Sequence, residues 1–164
     1  MNFYTTSYAS PLGNLRLQCT NEHLVAVLFN DSEESTPSDN HPLLQQCRNQ
    51  LDEYFAGKRK EFELPLQQDG TVFQQKVWDL LCLIPFGKTI SYHQLATQYG
   101  DLKAIRAVAS ANGKNKLAII VPCHRVIGTN QSLTGYAGGL WRKKWLLNHE
   151  VKQGAGVEQL GFSF

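Results

Sequence analysis

Polar and apolar positions along the chain change period several times, and each change marks an element. Leu15, Leu17 and Cys19 alternate with Arg16 and Gln18 after a turn at Pro11-Leu12-Gly13-Asn14, which is the two-residue period of a half-buried strand. Asn21-Glu22 separates it from a second apolar run over 24–29, so an antiparallel sheet is expected. The polar stretch 31–40 reads as a loop, and Pro42 then opens a helix with the stripe Leu44, Cys47, Leu51 and Tyr54/Phe55, ending at Gly57. Residues 63–70 read as a linker whose leucines pack.

Helical periods dominate beyond the linker. Thr71-Val72-Phe73-Gln74 is a capping-box pattern that predicts a helix over 72–83, carried by Val77, Trp78, Leu80 and Leu81 and stopped by Pro85. Cys82 falls on its apolar stripe, so it and Cys47 are expected to pack. Ser91-Tyr92-His93-Gln94 is a second capping box, leading into a short helix that ends near Gly100. Asp101 can cap a third over 102–112, closing at Gly113. Two short helices joined by a tight turn form a helix-turn-helix pattern, which also occurs in proteins with no DNA role. The second of the pair carries Ala104, Ala107, Ala109, Ser110 and Ala111, small residues that allow another surface to approach its backbone. The five apolar residues 117–121 read as a buried strand that Pro122 ends. A last helix is expected from Leu140 to about Glu150.

At 164 residues the chain can build one fair-sized core or two small ones. It has no apolar run near membrane-spanning length, and its start has neither a basic nor an apolar signal region, so an intracellular, cytoplasmic protein is expected. Four widely spaced cysteines with no CxxC pair suggest neither a disulfide framework nor a zinc site. The net charge of +2 hides a strong asymmetry. Residues 1–69 hold five Lys/Arg against ten Asp/Glu, whereas 70–164 hold eleven against four. The basic half suggests a polyanion as partner, with ordinary solvated lysines as the alternative.

Candidate chemistry sits in that basic half. Pro122-Cys123-His124-Arg125 places a cysteine at a rigid turn with a histidine and an arginine directly after it. A thiol is a useful nucleophile only as thiolate, and a neighbouring imidazole or cation favours that form, so His124 and Arg125 are both candidates to activate Cys123. A buried structural cysteine is the plainer alternative.

This segment resembles the active-site motif of the O6-alkylguanine-DNA alkyltransferases, repair proteins that take an alkyl group from DNA onto their own cysteine. Ile90-Ser91-Tyr92, 104–108, Asn112-Gly113-Lys114-Asn115, 134–139 and 145–150 resemble further family signatures in family order, so the likeness covers about 72–150. It implies an α+β protein of two domains. Residues 1–69 would form a ribonuclease H-like antiparallel sheet plus helix, and 70–164 a winged helix-turn-helix domain carrying the active site.

The resemblance also implies roles. Cys123 is the nucleophile, His124 its base acting through a water, Glu150 the carboxylate that orients the imidazole, and Asn115 a brace for the turn. Glu150 near a helix C-terminus opposes the macrodipole, which favours a functional partner over a solvent-facing carboxylate. Tyr92 is the donor to N3 of the leaving base. Arg106 fills the stack vacated by a flipped nucleotide, with Lys103, Ala104, Ala107 and Tyr92 at the DNA surface. The carbonyls of Cys123 and Val126 face the exocyclic amine of the base, the Ala137 N–H faces O6, and Tyr136 and Gly138 shape the pocket. The implied activity is a single-turnover transfer from O6-alkylguanine, and also O4-alkylthymine, in double-stranded DNA, by a monomer needing no cofactor and no metal. A binding-only alkyltransferase-like protein is the principal alternative, although such relatives replace the nucleophile that is intact here. A cysteine hydrolase and a transcriptional regulator are further rivals. Two departures stand out: Lys116 occupies a place where relatives often carry proline, and the amino-terminal zinc ligands of some relatives have no full match, since Cys19 and His23 lack partners.

Overall fold

The computed structural model describes residues 2–32, 34–128 and 135–154. By contacts the chain falls into two units: Met1–Asp69 with Lys116–Ile120, and Gly70–Asn115 with Val121–Phe164. The short segment counted with the first unit interrupts the second, where the sequence suggested one continuous carboxy-terminal stretch.

The first unit is a three-stranded antiparallel sheet in the order β1 (Tyr4–Ser10), β2 (Gly13–Cys19), β3 (Leu24–Phe29), with the helix α1 (Pro42–Phe55) packed on β1 and β2. Leu15, Leu17 and Cys19 of β2 are fully buried, as their alternation requires. The sequence pattern did not announce β1, because its buried positions include Thr5 and Thr6, which are polar. Helix α1 begins where Pro42 suggested, and His41 caps it by accepting the Leu43 N–H on its imidazole at 3.1 Å. Leu44, Cys47, Leu51 and Tyr54 form its buried stripe.

The expected strand over 117–121 does not form. Only Leu117 pairs, in an isolated parallel bridge with Val27, and the chain then turns through Ile119 at φ 72°. The Ile120 N–H closes this three-residue turn on the Ala118 carbonyl at 2.8 Å. All five residues are buried, so their apolar character records burial and not extension. Lys116 supplies what proline could not, since its N–H donates to Gln68 Oε1 at 2.8 Å.

The second unit is mostly helical: α2 (Val72–Leu81), α3 (Tyr92–Tyr99), α4 (Ile105–Gly113) and α5 (Leu140–Gln153), with a two-stranded parallel pairing of β4 (Ile90–Ser91) and β5 (Val126–Ile127). Both capping boxes are present, Thr71 with Gln74 and Ser91 with Gln94. Cys82 is exposed at the end of α2 and does not pack as expected, because the helix stops at Leu81. Gly100 ends α3 in the left-handed region at φ 106°, a conformation that favours glycine. A 3-10 turn, Leu102–Ala104, capped by Asp101, leads into α4.

Trp78 of α2 fixes α4 in place. Its indole N–H donates to the buried Ala111 carbonyl at 2.9 Å, while Val108 and Ala111 bury the inner face of α4. Trp78→Phe keeps an aromatic side chain but removes that bond, leaving the carbonyl the Lys114 N–H at 3.1 Å, a loss of roughly 0.5–1.5 kcal/mol. Chemical denaturation of the variant should show that decrease, with far-UV circular dichroism unchanged in dilute buffer.

Candidate active site

Cys123 is delivered by two successive tight turns. Pro122 at φ −82°, ψ 63° lets the Cys123 N–H close on the Val121 carbonyl at 2.8 Å, and a 3-10 turn, Cys123–Arg125, follows at once. A short helical turn sends consecutive side chains in different directions, so Cys123, His124 and Arg125 meet different neighbours. Cys123 is 8% exposed and His124 is fully buried.

One carboxylate gathers the rest. Glu150, in the last turn of α5, has no solvent exposure. Its Oε2 lies 2.7 Å from His124 Nε2 and takes the Arg125 Nη2–H at 3.0 Å. Its Oε1 accepts from Arg125 Nε at 2.8 Å and from the Gly87 N–H at 3.2 Å. Gly87 has φ 79°, so glycine suits that approach. The remaining guanidinium nitrogen, Nη1, donates to the Ile84 carbonyl at 2.7 Å. Arg125, a candidate for activating the thiol when read from sequence, is therefore committed to Glu150. Burial alone would raise the Glu150 pKa, but His124 and Arg125 outweigh it and hold the carboxyl well below the usual carboxylate range.

Burial pushes His124 below its usual value, although Glu150 opposes the shift. A neutral imidazole facing a carboxylate must donate through Nε2, which leaves a lone pair on Nδ1. Nδ1 is buried and has no hydrogen-bond partner among the described residues. Burial also raises the Cys123 thiol pKa, opposed by a hydrogen bond from Asn115 and by the charge of Lys143. Asn115 braces the same turn by donating Nδ2 to the Val121 carbonyl at 2.9 Å.

Lys143 was not singled out in the sequence, where it reads as one of the run Arg142-Lys143-Lys144. It has no solvent exposure, donates to the Val126 carbonyl at 2.7 Å, and stands 5.9 Å from the centre of the Tyr92 ring. Burial lowers its pKa to about 8. Asn112, quoted only within a motif, is likewise buried, and its Nδ2 donates to the Cys123 carbonyl at 3.4 Å.

A pocket of about 650 Å³ opens between α4 and the segment 135–137, with Tyr92, Arg106, Ala109, Asn112, Tyr136 and Ala137 among its lining residues. Cys123, His124, Glu150 and Asn115 thus form one cluster, and Tyr92, Arg106, Tyr136 and Ala137 share one pocket. Burial raises the Tyr136 phenol well above its usual value, with Cys123 among the charges that act on it. Val126 is buried beside the cluster, and the Gly138 carbonyl accepts from Arg142 Nη1 at 3.1 Å. Arg106, Ala107 and Lys103 are exposed and Ala104 is half-buried. Thr134 lies outside the described residues. No group of three or more His, Cys, Asp or Glu that could hold a metal ion occurs among the described residues. None of their helices is long and apolar enough to cross a membrane.

Two family models match the chain: the ribonuclease-like domain of 6-O-methylguanine DNA methyltransferase over residues 3–68 and its DNA binding domain over 72–152. The constitutive methylated-DNA--protein-cysteine methyltransferase of Bacillus subtilis is 46% identical over 92% of this chain and 96% of its own length. A Mycobacterium tuberculosis O6-methylguanine methyltransferase superposes with a TM-score of 0.85 at 40% identity, covering 96% of this chain and 97% of that one. The M. tuberculosis OGT in complex with DNA gives 0.83 at 41% identity, covering 96% of each.

The linkage of the buried carboxylate has a definite sign. Because folding lowers the Glu150 pKa, the unfolded chain binds more protons at acid pH, so its contribution is present above about pH 4.5 and is lost as pH falls further. The lowered His124 acts in the same direction below its usual value. Urea denaturation from pH 7 to 3 should show stability falling steeply below about pH 4.5. Glu150→Gln should be less stable by about 3–5 kcal/mol at pH 7, with a flatter acid limb. Equal acid limbs for the two proteins would remove Glu150 as the cause.

Proposed function

The chain belongs to the 6-O-methylguanine DNA methyltransferase family, and from that premise we propose how its residues perform direct-reversal DNA repair, transferring an alkyl group from O6-alkylguanine to Cys123. The observation that carries this assignment is a cysteine followed by a histidine whose Nε2 is held by a buried carboxylate and whose Nδ1 has no hydrogen-bond partner among the described residues.

The thiol proton passes to His124 Nδ1 through a water molecule, and Glu150 stabilises the imidazolium that forms. The thiolate attacks the alkyl carbon, a C–S bond forms as the C–O bond breaks, and the bonding pair returns to the base. Tyr92, at the first position of α3, donates the proton that lets guanine leave neutral. The Lys143 cation offsets the negative charge first on Cys123 and then on the Tyr92 phenol. A thioether remains on Cys123, and no group among the described lining residues offers chemistry to cleave it, so each molecule acts once. The same chemistry extends to O4-alkylthymine. No cofactor enters the reaction.

The alkyl carbon is shielded within a duplex, so the nucleotide must leave the stack. The pair α3 and α4 acts as a helix-turn-helix, with Lys103, Ala104 and Ala107 against the DNA and Arg106 in the vacated gap. Its exposed guanidinium at the pocket rim supports that role. The chain acts as a monomer on double-stranded DNA carrying the lesion, in a cytoplasmic setting that keeps Cys123 reduced. A binding-only role is not favoured, since Cys123 is present and the relatives at 40% identity or more are named as methyltransferases.

Incubation with duplex containing O6-methylguanine should add one methyl group per molecule, at Cys123, and restore guanine. Intact mass and peptide mapping check this; repeated turnover, or an adduct at Cys19, Cys47 or Cys82, would overturn it. Arg106→Ala should slow transfer from duplex DNA by at least about tenfold, since extrusion costs a few kcal/mol. Reaction with the free base O6-benzylguanine should change by no more than about twofold, a few tenths of a kcal/mol. Equal losses on both substrates would assign Arg106 to the chemistry or to the fold.

A further inference from the structure

Arg142 stands where burial and the helix field both oppose it. It lies in the first turn of α5, three residues after the Gly139 cap, and is 5% exposed. The first turn of a helix favours acidic residues, and this one has none. A guanidinium in that place costs stability unless something compensates it. Residues that break a local rule in this way concentrate at functional sites.

What the cation meets is the wall of the pocket. Side chains on a helix lean back toward its start, and Arg142 reaches four residues back to donate from Nη1 to the Gly138 carbonyl at 3.1 Å. Its guanidinium lies over the Trp141 ring, 4.9 Å from the ring centre. Gly138 belongs to the segment 135–139, of which Gly135, Tyr136 and Ala137 line the pocket while Arg142 itself does not. The Gly139 N–H closes the same segment on the Tyr136 carbonyl at 2.9 Å. Tyr136 feels the charges of both Arg142 and Cys123, so this wall is within electrostatic reach of the nucleophile.

The composition of the wall gives the tie its importance. Three of the five residues 135–139 are glycines, and Gly135 at φ 52° and Gly139 at φ 95° lie in the left-handed region. Glycine loses more conformational freedom on ordering than any other residue. A wall that the substrate had to order would show that loss as weaker binding, and a wall ordered beforehand avoids it.

We propose that Arg142 is a positioning residue of the pocket, which holds the Gly138 carbonyl and thereby keeps Tyr136 and Ala137 in the shape that accepts an alkylated guanine. It sets the affinity for the base and takes no part in the transfer. This rests on the repair reading above.

The test follows transfer of the benzyl group from free O6-benzylguanine to Cys123 over a range of base concentrations, read by intact mass. Such a series yields a half-saturation concentration and a limiting rate. Arg142→Met keeps much of the stem and removes the donors. It should raise half-saturation about tenfold, the factor that 1.4 kcal/mol represents, with the limiting rate within about twofold. Arg142→Lys keeps the charge and a single donor group, and should raise half-saturation about threefold. Partial loss of the fold would instead lower the fraction of protein that takes up the benzyl group. A fall in limiting rate at unchanged half-saturation, or a lysine variant as weak as the methionine one, overturns the assignment. Should the methionine variant not fold, the lysine variant decides, and an unchanged half-saturation there overturns it. Methyl transfer from O6-methylguanine duplex with none from the free base would mean that the wall is not ordered before DNA binds, which overturns this assignment and leaves the repair reading standing. Absence of transfer from both would overturn the repair reading, and this one with it.

Discussion

Everything at the active site depends on one carboxylate that has been taken out of water. An isolated ionised Glu150 could not be buried, because the loss of hydration would exceed any packing gain. It is ionised and buried only because Arg125 meets it with a bidentate pair, His124 donates to it, and the Gly87 N–H completes its shell. Those donors come from two places in the chain and the carboxylate from a third, so satisfying the charge fixes three segments at once: the turn that carries Cys123, the loop after α2, and the end of α5. The carboxylate's position near a helix C-terminus, unfavourable in isolation, follows from this arrangement. The guanidinium supplies the compensating charge that the helix end does not.

That division of labour leaves the imidazole free to act. Had Glu150 faced His124 alone, the pair would hold a proton tightly and raise the histidine's affinity for it. Burial is the larger cause that keeps His124 below its usual pKa against the pull of Glu150, and Arg125, which shares the carboxylate, adds to it. A neutral histidine with a fixed tautomer is the form that can accept a proton from a thiol. Arg125 thus acts on the reaction through the state in which it leaves His124, and not by approaching Cys123.

Much of this was legible in the sequence wherever the signal was local. The capping boxes at Thr71 and Ser91, the proline start of α1 and the Gly100 stop each depend on residues a few positions apart, and each appears in the fold. The motif around Cys123 led to the cluster of His124, Glu150 and Asn115. What escaped depends on distant partners. Arg125 and Glu150 are twenty-five positions apart, and nothing local distinguishes a guanidinium aimed at a remote carboxylate from one aimed at the adjacent thiol. Lys143 sits between two other cations and reads as a solvated surface charge, yet the carbonyl of Val126 receives it in the interior. The strand read over 117–121 failed for a related reason: an apolar run reports burial, and burial does not dictate extension. β1 failed in the opposite sense, since Thr5 and Thr6 are buried without looking apolar.

The burial that assembles the site also sets its resting reactivity. Cys123 is enclosed enough that desolvation raises its pKa, so the resting thiol is mostly protonated, while Asn115 and Lys143 pull the other way. Neither influence removes the other. A protein consumed by one transfer gains from this balance, because a fully ionised, exposed thiolate would react with any small electrophile or oxidant that reached it. In the proposed mechanism the buried Lys143 cation, near Cys123 and Tyr92, serves the charge where it starts and where it arrives. Moving one negative charge past a fixed positive one needs little reorganisation of the surroundings, which is the condition under which electrostatic stabilisation in a dry site is most effective. The enclosed, charge-balanced interior therefore both restrains the nucleophile at rest and lowers the barrier once a substrate fills the pocket.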